Sequence, residues 1–304
     1  MYTKPPYTID EQIEQLKQRG LLIDPKDDIV TILSNISYYR LAGYWWPMQS
    51  DKDKHIFKSG SKFSDVMALY IFDRELRILL FDVIEKIEIS LRTKLVYYLS
   101  HEFDPWWFQN TALFTNVKEL VQTLATLEEE IDRSKDTFIK EHKKKYKDDL
   151  RFPPAWKSLE LTSFGGLSKL YGNLRPDIKS KDKIAADFGT VNHTFLPSWL
   201  QSITQIRNHC AHHSRLWNRN LPGKPKLLPK PPNAWIKDVP KENEYHMIYV
   251  HLCCMKYLLN TIQPRNNFSG QIRSLVDRFA SNVDPKALGL KPEWQSEPLW
   301  QDSL

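Results

Sequence analysis

The chain has 304 residues, 41% of them hydrophobic, and its 43 Lys and Arg against 37 Asp and Glu give a formal charge of +6. This content allows one large domain or a domain with appendages, with ample core, while 10 Trp, 13 Tyr and 14 Phe against 10 Gly favour packed helices over a turn-rich β fold. The basic balance is compatible with an anionic partner, and the lack of a G-x-G-x-x-G or P-loop pattern argues against a dinucleotide or triphosphate site. Cys210, Cys253 and Cys254 offer no disulfide framework. The first residues lack a signal-peptide core and no run approaches the ~18 apolar residues of a membrane span, so a cytoplasmic protein without membrane contact is expected.

Thr8 or Asp10 is placed to cap a first helix through Ile13 and Leu16 that ends at Gly20. Asp24-Pro25 opens a second through Ile29, Ile32 and Leu33. Next, Tyr38, Tyr39, Tyr44, Trp45 and Trp46 crowd around Arg40. Such aromatics either stack on unpaired nucleotides or form a packing plug between helices, and the plug is the commoner use. Residues Asp51 to Gly60 read as a polar linker. From Ser64 to about Leu99 the spacing predicts the strongest helix of the chain. Leu69, Leu76, Leu80, Val83, Ile87, Leu91, Leu95 and Tyr98 form its buried stripe. Glu85, Glu88 and Arg92 share another face, with Glu88 and Arg92 at ion-pair spacing.

After Asp104-Pro-Trp-Trp107, residues Val117 to Lys147 read as a helical arm ending in the basic run Lys143-Lys144-Lys145, which suits a solvated face or a phosphate backbone. Leu159 to Leu174 is expected to be helical, with Gly165-Gly166 letting another helix come close. A short helix around Ile184 to Phe188 leads to the densest segment of the sequence. From Leu221 to Pro240 proline and lysine dominate, giving an extended loop. Tyr245 to Ile262 and Gln271 to Phe279 are further helices, and the tail carries Trp294, Leu299 and Trp300 as docking anchors.

The segment Ile206-Arg-Asn-His-Cys-Ala-His-His-Ser-Arg-Leu-Trp-Asn-Arg219 holds three histidines, three arginines and two asparagines. On an ideal helix Asn208, His212, Arg215 and Arg219 share one stripe, opposite Trp199, Ile203, Ile206, Cys210 and Trp217. Imidazole beside guanidinium suits metal-free RNA cleavage. A histidine near its ordinary pKa of about 6.5 can move the 2′-hydroxyl proton, and arginine's planar fork can hold a phosphate as its charge grows. A straight helix sets Arg207 and His212 about 140° apart. The site therefore requires an irregular helix, an Arg207 that reaches around, or two copies meeting across a dimer.

The spacing Arg207-x-x-x-x-His212, with Asn208 beside the arginine, resembles the R-x4-6-H signature of HEPN ribonucleases. Over nearly the whole chain, Lys4-Pro-Pro6, Gln12 to Gly20, Ile36-Ser-Tyr-Tyr-Arg-Leu-Ala-Gly-Tyr44, Leu69 to Arg77, Ile84 to Thr93, Pro153-Pro-Ala-Trp156, Ser163-Phe-Gly165 and Arg207 to Arg219 together resemble the Abi-like abortive-infection proteins of the AbiD/AbiF type. The resemblance implies an all-α, HEPN-like helical bundle (59–262) with an N-terminal helical extension (1–58) and a C-terminal helix and docking tail (263–304). It implies a metal-independent endoribonuclease toxin of phage defence, needing no cofactor. Arg207, Asn208 and His212 carry over as its catalytic set. Arg215, Arg219, Arg92 and Lys143 to Lys145 are then candidate RNA contacts, and Glu88 an orienting group. A homodimer with facing motifs is implied, as is RNA as substrate and, by analogy with some relatives, a restraining noncoding RNA.

Three rival readings stand beside this one. The same arginines would serve a non-catalytic module that holds a structured RNA. His209-x-x-x-His213 has the helical spacing of a zinc pair, but no third ligand lies nearby. A structural dimer with a polar seam is the last.

Overall fold

The computed structural model describes Thr3 and residues 5–301; Lys4, which opens the first matched segment, lies outside the described residues. Twelve α-helices are present among them: α1 (Ile9–Gln18), α2 (Ile29–Asn35), α3 (Tyr38–Trp45), α4 (Phe63–Glu102), α5 (Val117–Arg133), α6 (Thr137–Lys145), α7 (Ala155–Ser158), α8 (Phe164–Asn173), α9 (Lys179–Asp187), α10 (Leu196–Ala211), α11 (Ile248–Ile262) and α12 (Phe268–Arg278). A two-stranded hairpin, β1 (Gln49–Asp51) and β2 (Ile56–Phe57), is the only sheet among the described residues. The fold is all-α, as the composition implies. No helix among the described residues is long and apolar enough to cross a membrane.

The 40 residues of α4 form the axis of the molecule, and α3, α8, α9, α10, α11 and α12 all pack on it. Its apolar stripe explains why. Leu69, Leu76, Leu80, Val83, Ile87, Leu91 and Leu95 are all buried. Tyr98 is partly buried, with its hydroxyl donating to Asp187 at 2.9 Å. Across the core α8 and α10 lie close together. A Cβ on Gly165 would meet the Thr204 methyl at 3.4 Å, so the helix spacing here is set by the missing side chain.

Local capping chemistry fixes several boundaries. Thr8 and Glu11 form a capping box at the start of α1, and Gly20, at φ 92°, takes the left-handed turn after it. The expected linker is instead the β1–β2 hairpin. Phe57 is buried and its N–H donates to Arg19 at 2.8 Å, which pulls the segment onto α1. The expected helix from Leu159 to Leu174 breaks as well. Arg92 donates to the carbonyls of Leu159 and Thr162, and the Ser163 hydroxyl accepts from Gly166 to start α8 afresh. The long arm is two helices, α5 and α6.

The proline- and lysine-rich segment after Leu221 is extended and packs on the core through aromatic rings. Trp199 stacks on Trp235 at 5.6 Å, Tyr257 sits edge-on to both, and the Trp199 indole N–H donates to Lys226. Trp294, Leu299 and Trp300 of the tail are buried, as anchors should be.

A buried hydroxyl–imidazole pair joins α10 to α11. Ser202 and Nδ1 of His251 are hydrogen-bonded, and His251 Nε2 meets the Tyr245 carbonyl at 3.2 Å. This arrangement suits a neutral ring whose Nε2–H donates to the carbonyl and whose Nδ1 accepts from the hydroxyl. Burial drives the His251 pKa from 6.5 down to about 4. The unfolded chain therefore binds the proton more readily, and the pair has its full stabilising effect above about pH 6.5 and loses it as pH falls toward 4. The loss at pH 4 is roughly 3 kcal/mol. Urea midpoints of wild type and His251→Gln, measured from pH 7 to pH 4, are expected to converge as pH falls. A gap that stays constant would contradict this ionisation.

Candidate functional site

The chemically loaded segment is not one helix. The α10 helix ends at Ala211, His212 is its C-cap residue, and His213 is left-handed at φ 52°. The helical stripe of Asn208, His212, Arg215 and Arg219 is therefore absent. The zinc-pair spacing of His209 and His213 fails for the same reason, and no group of three or more His, Cys, Asp or Glu among the described residues could hold a metal ion.

Tertiary contacts terminate the helix. Asp73 of α4 is fully buried and accepts from the backbone N–H of Leu216 at 3.0 Å and of Trp217 at 2.7 Å. It also accepts from the Tyr44 hydroxyl at 2.7 Å and forms an ion pair with Arg77. Burial pushes the Asp73 carboxyl above its ordinary value, against the lowering pull of Arg77 and of these donors. Arg40 of α3 donates to the His213 carbonyl at 2.7 Å, and Arg77 to that of Ser214 at 3.5 Å. Gly43 admits Arg215, since a Cβ there would lie 3.2 Å from Nε. Arg40 is thus part of a packing plug, with Tyr44 and Trp45 buried beside it. Residues far apart in sequence hold the turn that carries His212 and His213.

Two cavities run along the exposed face of α4 beside this turn. One, of about 600 Å³, is lined by Arg74, Arg77, Phe81, Cys210 and His213 among others. The other, of about 370 Å³, is lined by Glu88, Arg92, Glu160 and Arg207 among others. They share Phe81 and Glu85, so they form one trough. Arg207 and Arg74 make no hydrogen bond or ion pair with any described residue, which leaves both guanidiniums free to bind. Cys210 is the chemical opposite. Burial raises its thiol to about 12, so it is not a nucleophile.

The other candidates are distributed differently. Asn208 and His212 are exposed. His209 is half-buried, and burial, followed by the charges of Arg219 and His212, lowers its pKa. Arg215 donates to the carbonyls of Trp217 and Asn218 at 3.1 Å, and Arg219 to that of Arg215 at 3.2 Å, so both shape the loop. Arg92 is engaged by Glu88 at 2.8 Å and by the two carbonyls that break the helix before α8. Glu88 therefore orients Arg92, and both line the Arg207 end of the trough. Lys143 pairs with Asp132 at 2.9 Å, Lys145 lies over the Tyr146 ring, and Lys144 is exposed. None of these three lines the trough. Sequence reasoning missed Arg74, Phe81 and the Asp73–Arg77 pair. Arg74, Phe81 and Glu85 do recur at helical spacing on one face of α4, and that was the available signal.

Fold and site together define an all-α protein organised on one long helix, with a basic and imidazole-bearing turn held against that helix's open face. Residues 31–218 match the family profile described as Abi-like protein, which is more than half of the chain and spans α4, α10 and the turn. The chain belongs to the Abi-like protein family. No curated protein and no solved structure matches it.

Proposed function

We propose that this protein is a HEPN-type, metal-independent endoribonuclease acting in abortive-infection phage defence. The family membership supports the biological role. The observation that carries the chemistry is Arg207, unpaired within the described residues and lining the same trough as His213, while His212 and Asn208 stand exposed next to it and line neither cavity.

In this reading the RNA supplies its own nucleophile. One imidazole of the His212–His213 turn takes the 2′-hydroxyl proton as the oxygen attacks phosphorus, and the other protonates the departing 5′ oxygen. Arg207 stabilises the added charge on the phosphorus oxygens, and Asn208 holds the phosphate or a turn imidazole. The bond formed is 2′-O–P and the bond broken is P–O5′, so the products carry a 2′,3′-cyclic phosphate and a 5′-hydroxyl. A homodimer with its motifs near one cleft, and a noncoding RNA as restraining partner, belong to the same proposal.

Purified protein incubated with single-stranded RNA in EDTA is expected to give these end groups at an undiminished rate. Activity abolished by EDTA and restored by zinc would contradict the reading. The non-catalytic rival would show as RNA retained without any cleavage.

A further inference from the structure

The two ends of the trough differ from its middle. At one end stands Arg74 with His213, and at the other Arg207, while Phe81 and Glu85 line both cavities at their junction. Phe81 is 42% exposed, unusual for a phenylalanine in a chain with so large a core. On α4, residues 74, 81 and 85 fall within about 20° of one face, and Arg74 is roughly 10 Å along the axis from Phe81.

The other charges in the trough are partly satisfied already. Asp82 pairs with Lys86 at 2.7 Å, Glu88 with Arg92, and Arg77 with the buried Asp73 behind the trough. What remains open is an exposed aromatic face between two free guanidiniums, with the Glu85 carboxylate beside it and that of Glu160 at the Arg207 end. An aromatic ring flanked by unpaired arginines complements a ligand that alternates flat π faces with anionic groups.

We propose that the trough seats one unpaired nucleotide, its base stacked on Phe81, one flanking phosphate at Arg74 beside His213 and the other toward Arg207. Glu85 then accepts an N–H from the edge of the base, as carboxylates do in base readout. A base paired in a duplex presents no free face to Phe81, so the substrate class is single-stranded RNA or the unpaired loop of a folded one. This rests on the ribonuclease reading for its choice of polymer, but the binding it predicts is measurable without cleavage.

The test uses the full chain and a short single-stranded RNA with 2′-fluoro riboses, which lacks the nucleophile, beside the same sequence closed into a duplex. Wild type is expected to prefer the single strand. Phe81→Ala should weaken its binding roughly tenfold and Phe81→Trp should restore it, in line with the contribution of one stacked base. Arg74→Ala should lower the slope of log affinity against log salt by about 0.7, the share of one phosphate on a single strand. Equal binding of duplex and single strand, or single-strand affinity unmoved by Phe81→Ala, overturns the proposal even if the enzyme cuts RNA. A wild-type dimer that Phe81→Asp dissociates with RNA affinity unchanged also overturns it, because the face then belongs to a second copy. Binding that follows the expected pattern without any cleavage would sink the ribonuclease reading and leave this site standing.

Discussion

Asp73→Ala is expected to destabilise the protein by about 3–5 kcal/mol, the usual cost of removing one partner from a buried ion pair. The magnitude follows from what the carboxylate does. It balances the buried Arg77 guanidinium, takes the Tyr44 hydroxyl, and satisfies the N–H groups of Leu216 and Trp217. Without it the buried Arg77 charge loses its counter-ion, and the Tyr44 hydroxyl and the two amides lose their acceptor. A second substitution separates charge from geometry. Asp73→Ala with Arg77→Met removes the uncompensated charge and should recover part of the loss, yet leaves the turn after α10 without its anchor. Urea denaturation measures both variants. A loss under 1 kcal/mol for Asp73→Ala would show that the network does not hold the turn.

The other large effect is on chemistry. Arg207→Ala is expected to lower RNA cleavage by about 10²–10³, the range for removing one donor that stabilises a growing oxyanion, with little change in melting temperature. Stability should be spared because Arg207 makes no hydrogen bond or ion pair with any described residue and lies at the trough surface. Arg207→Lys should recover little, since a point charge lacks the planar fork. The decisive comparison is cleavage rate beside melting temperature. A variant that melts normally and cuts normally would remove Arg207 from the site.

How much of this was readable from sequence depends on whether the cause was local. The buried stripe of α4 was legible residue by residue, because a 3.6-residue period over ten turns leaves little freedom. Thr8 and Gly20 announced the ends of α1 by capping rules that need no tertiary information. The end of α10 was not legible, for a physical reason. No glycine or proline lies between Asn208 and Arg219, and the left-handed position that glycine usually takes is filled by His213. The stop comes from Asp73, about 140 residues earlier, which captures two amides, and from Arg40, which takes a carbonyl.

That single miss rearranged the candidate site. A continued helix would have put His212 in line with Arg215 and Arg219, whereas the actual turn leaves the two arginines folding the loop and brings His213 to the cavity that Arg74 lines. The helix is irregular here, ending at Ala211 with His213 left-handed, which is one of the three ways in which Arg207 and a histidine can approach one phosphate. Of the aromatics between Tyr38 and Trp46, Tyr44 and Trp45 are buried as a packing plug requires and Arg40 bonds to backbone, whereas Tyr39 and Trp46 are exposed and lie outside the plug. The role of that plug in holding the turn could not be inferred from composition.

The most direct test of the central claim gives wild type and Arg207→Ala the same single-stranded sequence twice, once as RNA and once as DNA, both in EDTA. The account predicts that wild type cuts only the RNA, because only the RNA carries the 2′-hydroxyl nucleophile, and that Arg207→Ala leaves both essentially intact. DNA cut as fast as RNA, or RNA cut equally by both proteins, would contradict it.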